Sequence, residues 1–451
     1  MNSRPYDTMT TFLQQAIRRG LYLLVIAALT LTACDDDSLV SPDPPADDLF
    51  TNYVALGNSI TAGFQSDGIN VQTQQASYAV LLSQAMGTPF TVPELNLPGC
   101  PPPLTNILTG ERLGGPQAPE CALRATPPPR RINNVAVPGA AVWDALSNLD
   151  RGDRESNANT LTTLILGGRT QVERAAEVNP TFASVWLGNN DVLGAALQGN
   201  AELITSTNNF ESDYTEVLDQ LSGANDLSGV LIGVVDVTLI PNLSRGAAYA
   251  NVIPAAQQLE ELPPNLEVAG SCGPAEFGFE TLIPFRYGAT LIQVAEQLFE
   301  DLGQNAPTLT IDCEEDRTVE ETIGAAFGGV ENIPPGISGA IEEVSGISIL
   351  TADEIEAIGE AVVSFNSFIQ ATAQDRGWAY VNPNGLLEER SEDIPQFPEL
   401  FENPNTPFSP DEPFGPFFSL DGVHPSSAAH ELVAAEVAEA INATYGTSLA
   451  P

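Results

Sequence analysis

Five short apolar runs, spaced by long connecting stretches, constrain this chain most: residues 53–56, 135–137, 182–187, 229–240 and 378–381. A sheet with one wet face alternates apolar and polar residues, whereas these runs are nearly continuous, as in strands covered on both faces. Their separation leaves room for crossover helices, so the pattern predicts an α/β fold with a central parallel sheet. Helix signals fit between the runs. Thr351 and Glu354 form a capping-box pair ahead of Ile355, Ile358, Val362, Phe365 and Ile369, and Gly377 ends the stretch. A last helix follows Pro425, with Val433, Val437 and Ile441 facing inward.

Three connecting segments exceed ordinary loop length, at 91–131, 241–350 and 388–420. The second carries helical signals around residues 290–302 and two cysteines, as expected of a cap or subdomain. With 43% hydrophobic and 17% charged residues, the chain has enough apolar material for one elaborated domain over 50–447.

The N-terminus reads differently. Arg18 and Arg19 precede an apolar run over residues 20–31, which is shorter than the roughly 20 residues a bilayer crossing needs. It reads as a signal peptide over 1–33. Leu31-Thr32-Ala33-Cys34 resembles the bacterial lipobox, and that resemblance implies cleavage before Cys34 and lipid attachment to it. Ordinary secretion with a chance cysteine is the alternative. Residues 34–49, rich in Asp, Ser and Pro, then form a solvated tether between a membrane anchor and the domain. The expected location is the bacterial cell envelope.

An exported chain with four further cysteines is compatible with two disulfides. Cys100, Cys121, Cys272 and Cys313 allow three pairings; nearest-neighbour pairing closes a modest loop within each of two long segments and is preferred. No zinc-type spacing occurs, so no metal is expected. Net charge is −43, with 59 acids against 16 basic residues that are all Arg, a surface that repels polyphosphate and excludes nucleic acid as a partner.

Several polar residues fall where an open parallel sheet places its ligands, at strand ends. Ser59 follows the first run in Gly57-Asn58-Ser59-Ile60, although a serine there commonly caps a helix instead. Only two histidines are present. His424 stands three residues after Asp421 in Asp421-Gly422-Val423-His424, close enough for the carboxylate to fix the imidazole tautomer; the alternative is a surface His beside an Asp-Gly turn. His430, on the final helix near Val433, reads as structural. Pro138-Gly139-Ala140 and Gly188-Asn189-Asn190-Asp191 end the second and third runs and offer hydrogen-bond donors, with turn chemistry as their alternative reading.

Together and in this order, the four segments resemble the sequence blocks of the GDSL-type, or SGNH, hydrolases. The resemblance implies a flavodoxin-like three-layer α/β/α sandwich. It also implies a serine ester hydrolase without cofactor, in which Ser59 is the nucleophile and Asp421 and His424 are acid and base. The Ser59 N–H, Gly139 and Asn190 would form the oxyanion hole. Asp191 matches a structural aspartate. One departure stands out: the family's Gly-Asp-Ser-Leu is here Gly57-Asn58-Ser59-Ile60. Among the alternatives are a polysaccharide O-deacetylase of the same fold and a non-catalytic surface-binding lipoprotein. Six phenylalanines ahead of Asp421 (Phe397, Phe401, Phe408, Phe414, Phe417 and Phe418) lean toward an apolar acyl group, unless they form a core of their own.

Overall fold

The four regular strands of the central sheet each have an odd face and an even face that are both buried. A computed structural model describes residues 47–117, 119–122, 129–149, 159–223, 226–402 and 407–451. The expected signal peptide, Cys34 and the tether up to residue 46 lie outside the described residues. Strands β1 (Tyr53–Gly57), β2 (Phe182–Trp186), β3 (Ser228–Ile232) and β4 (Ala379–Val381) pair in that spatial order, all parallel. Val54, Leu56, Ala183, Val185 and Leu231 belong to one core. Tyr53, Ala55, Phe182, Trp186, Val230 and Ile232 belong to another on the opposite side. This alternation explains the continuous apolar runs, because successive side chains enter different cores.

The first core is covered by helices Gln171–Val178, Asn190–Gln198, Thr207–Ser222 and Ala352–Arg376. The second is covered by Tyr78–Met86 and Ser427–Tyr445. Thr351 and Glu354 form the expected capping box, and Gly377 ends its helix in a left-handed conformation at φ +66°. The result is a three-layer α/β/α sandwich.

Two expected strands differ. Residues 135–137 form no regular strand, yet the segment runs alongside β1: Asn133 O accepts the Ala55 N–H at 2.8 Å, and the Val135 and Val137 N–H groups donate to Ala55 O and Gly57 O at 2.9 and 3.2 Å. Pro138 interrupts it at once. With this segment counted second in chain order, the sheet reads 2-1-3-4-5, the flavodoxin-like order. The run at 229–240 is strand only to Ile232, because the Asn366 amide takes over the backbone of Val234, accepting its N–H at 2.6 Å and donating to its carbonyl at 2.9 Å. Asp236 then caps a turn over Val237–Leu239.

The fold reaches slightly beyond its expected ends. Asp47 caps Asp48–Phe50, Phe50 is fully buried against Phe182, and Leu449 is bonded to Asn442 and packed under the sheet.

The segment 241–350 has a core of its own, built from helices Gly246–Gln258, Phe285–Leu302 and Val319–Phe327 and the pairs Leu243–Arg245 with Leu282–Pro284 and Leu266–Val268 with Leu309–Ile311. Disulfides join Cys100 to Cys121 and Cys272 to Cys313, the nearest-neighbour pairing. Phe397 and Phe401 belong to this insertion core, and Phe414 is buried edge-on to Phe285. Phe408 is exposed. No helix among the described residues is long and apolar enough to cross a membrane.

His430 secures the last helix to the Tyr78–Met86 helix. It is wholly buried, and its Nδ1 accepts the Tyr78 N–H at 3.3 Å, serving a helix start that Ser77 leaves uncapped. Burial, assisted by the charge of His424, pushes its pKa down to about 3. An unfolded histidine takes up its proton near pH 6.5, whereas the folded one resists it to about pH 3, so falling pH favours unfolding throughout that window. We expect urea unfolding at pH 7 and pH 4.5 to show a stability drop that His430→Asn, which keeps an acceptor, reduces by on the order of 1–3 kcal/mol. An equal drop in both proteins would remove His430 as its source.

Candidate active site

Gly57, at the end of β1, has no room for a side chain: a Cβ would lie 2.1 Å from Thr61 Oγ1 and 3.0 Å from Trp186 O. The Gln171 amide grips it on both sides, accepting its N–H at 3.0 Å and donating to its carbonyl at 2.9 Å. The chain therefore leaves the sheet along one fixed path. Asn58, not Ser59, caps the following helix, Ser59–Ala62, by accepting the Ile60 N–H at 3.1 Å. The capping alternative for Ser59 thus falls to its neighbour. Capping requires only an acceptor oxygen, which Asn and Asp both supply, so the departure at position 58 keeps the cap, while the buried Asn58 Nδ2 has no hydrogen-bond partner among the described residues.

Ser59 lines a cavity of ≈ 110 Å³, and His424 lines it from the other end of the chain. The imidazole Nδ1 bonds Asp421 Oδ2 at 2.9 Å, which leaves Nε2 for the cavity side, and the ring packs against Phe64 with centroids 4.8 Å apart. No hydrogen bond joins Ser59 to His424 among the described residues; such contacts often tighten only when substrate is bound.

Asp421 is held by more than its histidine. Its Oδ1 accepts the N–H groups of Val423 and His424, both at 2.8 Å, and the Ser419 hydroxyl at 3.2 Å. Its Oδ2 also accepts the Asp67 N–H at 2.6 Å. Burial alone would raise the carboxyl pKa, but the charge and ring bond of His424, with the N–H groups of His424 and Asp67, outweigh it and hold the group down to about 2.

The remaining expected residues meet at the ends of the 133–137 segment and β2. Asn190 opens the Asn190–Gln198 helix, and its Nδ2 donates one proton to Ala140 O at 2.9 Å, with a second proton left to give. Gly139, beside Ala140, sits at φ +80°, a conformation that favours glycine. Asp191 is 2% exposed, and its carboxylate accepts the Val142 N–H at 3.0 Å, tying the two segments together as expected of a structural residue. Gly188, ahead of Asn189, is packed against Val234 and Phe210, where a Cβ would lie 2.6 Å from Val234 Cγ2. Ser59, Asn190 and His424 border one cavity, and Gly139 is drawn to it through the Asn190–Ala140 bond.

The cavity walls are mainly apolar and include Trp186, Leu193, Val237, Ile240, Phe417 and Phe418. Only the last two of the six phenylalanines line it. Asp67 supports Asp421 directly and Ser66 supports it through Ser419, without any sequence signal, because 354 and 353 residues separate the partners. Since Asp421 stays ionised to about pH 2, its carboxyl proton should add nothing to the acid limb of kcat/KM above pH 4. A two-proton slope between pH 4 and 7 in a pH–rate profile would contradict this assignment.

Residues 53–272 match the family model of the GDSL-like Lipase/Acylhydrolase. The match takes in Ser59, Gly139 and Asn190 and ends before Asp421 and His424, whose pairing rests on geometry alone. No curated protein matches the chain.

Proposed function

Because residues 53–272 form a GDSL-like lipase/acylhydrolase domain, which makes the chain a hydrolase of ester or acyl groups, we propose that it cleaves carboxylic esters of apolar acids through an acyl-Ser59 intermediate. The observation that carries this reading is that Ser59 and His424, the latter bonded to Asp421, line one cavity with mainly apolar walls. Ser59 Oγ attacks the ester carbonyl while His424 Nε2 takes its proton. Asp421, ionised and fixed by neutral donors, stabilises the imidazolium that forms. The oxyanion is received by the N–H groups of Ser59 and Gly139 and by the free Asn190 amide proton. His424 returns its proton to the leaving alcohol, and water releases the acid by the same steps.

The apolar walls favour this over an O-deacetylase, whose acyl group is a single methyl and gains little from them. Each methylene buried in the cavity is worth ~0.8 kcal/mol, about fourfold in kcat/KM. On p-nitrophenyl esters, kcat/KM should therefore climb from acetyl to butanoyl and level off once the cavity is filled, and Ser59→Ala should abolish turnover. A profile that is flat or peaks at acetyl would favour the deacetylase. Turnover equal in the wild type and Ser59→Ala would leave the surface-binding reading.

Cys34 carries the lipid in this proposal and keeps the hydrolase at the cell envelope, supported by the lipobox-like Leu31-Thr32-Ala33-Cys34. Cys34→Ala should move the protein from the membrane fraction to the soluble one on cell fractionation; unchanged partitioning would count against the anchor.

A further inference from the structure

Asp421 Oδ2, the oxygen that bonds His424, is fixed on its other side by a turn of unusual composition. Gln65 and Gly68 exchange N–H bonds, at 2.9 and 3.1 Å, around Ser66 and Asp67, which stand at φ +53° and +52°. Two left-handed central residues are the pattern of a type I′ turn, normally filled by Asn-Gly because other side chains resist that conformation. Ser is a poor occupant of the first position and Asp67 stands where glycine is usual, so contacts from outside the turn help to hold it.

The turn is engaged from two directions. Toward the site, the Ser66 N–H donates to Ser419 Oγ at 2.8 Å, and the Asp67 N–H donates to Asp421 Oδ2 at 2.6 Å. From the first insertion comes Arg112, whose Nη1 donates to Asp67 O and Pro102 O, both at 2.7 Å, while Nη2 pairs with the Asp67 carboxylate. The ion pair is part-exposed, at 32% and 52%, and by itself adds little. The two carbonyl bonds are what lock the backbone, and only a planar guanidinium makes all three contacts at once. Leu104 closes the clamp by donating its N–H to Ser66 O at 2.7 Å, in a segment tethered by the Cys100–Cys121 disulfide.

We propose that Arg112, Ser66 and Asp67 are positioning residues for the reaction: Arg112 holds the left-handed turn whose Asp67 N–H fixes the Asp421 oxygen that orients His424. This rests on the acyl-transfer reading above. Arg112 does not line the cavity by Ser59, so its loss should affect the chemical step and not substrate binding.

The test uses the full chain and p-nitrophenyl butanoate. Arg112→Ala and Arg112→Lys should each lower kcat about tenfold, short of the ~10²-fold that a 1 Å misplacement can cost, with KM within twofold of wild type. Adding Ser66→Asn and Asp67→Gly to Arg112→Ala keeps the N–H donors and makes the turn self-supporting, and should restore most of kcat. A merely structural arginine would show no such rescue. Ser59-dependent turnover in which both Arg112 variants keep kcat within twofold of wild type overturns the clamp alone. So does a loss of kcat that the turn substitutions fail to restore. If Arg112→Ala does not fold, Arg112→Lys decides on the same criterion. Turnover indifferent to Ser59→Ala overturns the hydrolase reading and the clamp with it.

Discussion

Parallel pairing of β1 with β2, Tyr53 opposite Phe182 through to Gly57 opposite Trp186, brings together segments that are 129 residues apart in the chain. Parallel strands end on the same edge, so the turns carrying Ser59 and Asn190 leave the sheet side by side. The 133–137 segment pairs with the other side of β1 and delivers Gly139 to that edge as well. This is where the strand order reverses, so that connections diverge to opposite faces and leave a crevice. Three of the five expected site residues therefore follow from the two pairings that β1 makes, and Gly57, whose Cβ would lie 3.0 Å from Trp186 O, lets the chain turn off the sheet at that edge.

Asp421 and His424 reach this edge from the other end of the chain, and the Asp421 carboxylate is met there without a cation. In a chain with 59 acids and 16 arginines, a buried carboxylate cannot rely on a nearby arginine. Asp421 is held instead by three backbone N–H groups and one hydroxyl, besides its histidine. Such donors stabilise the anion while adding no charge that would compete with the imidazolium for it. Arg112 acts one step further out, on the backbone that supplies one of those donors.

What was legible in the sequence was local or periodic. Nearly continuous apolar runs gave the buried parallel sheet, the Thr351–Glu354 pair marked a helix start, and the scarcity of histidine with the Asp421 spacing singled out His424. Where a side chain reached across from a distant element, the pattern misled. The Asn366 amide ends β3 eight residues before its apolar run stops. The cap at Asn58 is a local exchange instead, between neighbours that the sequence could not rank, Asn58 taking what Ser59 could have taken. The phenylalanines before Asp421 were ambiguous for the same reason, since sequence shows their spacing and not which of two cores receives them; two went to the cavity and the others did not line it. The Ser66–Asp67 turn carried no signal at all, because Ser-Asp does not read as a type I′ pair and its partners lie 353 and 354 residues away.

The division of labour between sheet and insertions follows from the same geometry. Ser59, Asn190 and the Asp421–His424 pair sit on elements of the α/β sandwich, whose two cores fix them. The cavity beside them is completed by Ile240, which directly precedes the 241–350 insertion, and by Ile394, Phe417 and Phe418 from the third long segment. Those segments are stabilised independently, by their own core and the Cys272–Cys313 disulfide. That part of the cavity wall can thus change with the insertions, while Trp186 of β2 and Leu193 of the helix after it hold the rest of the wall on the sandwich itself.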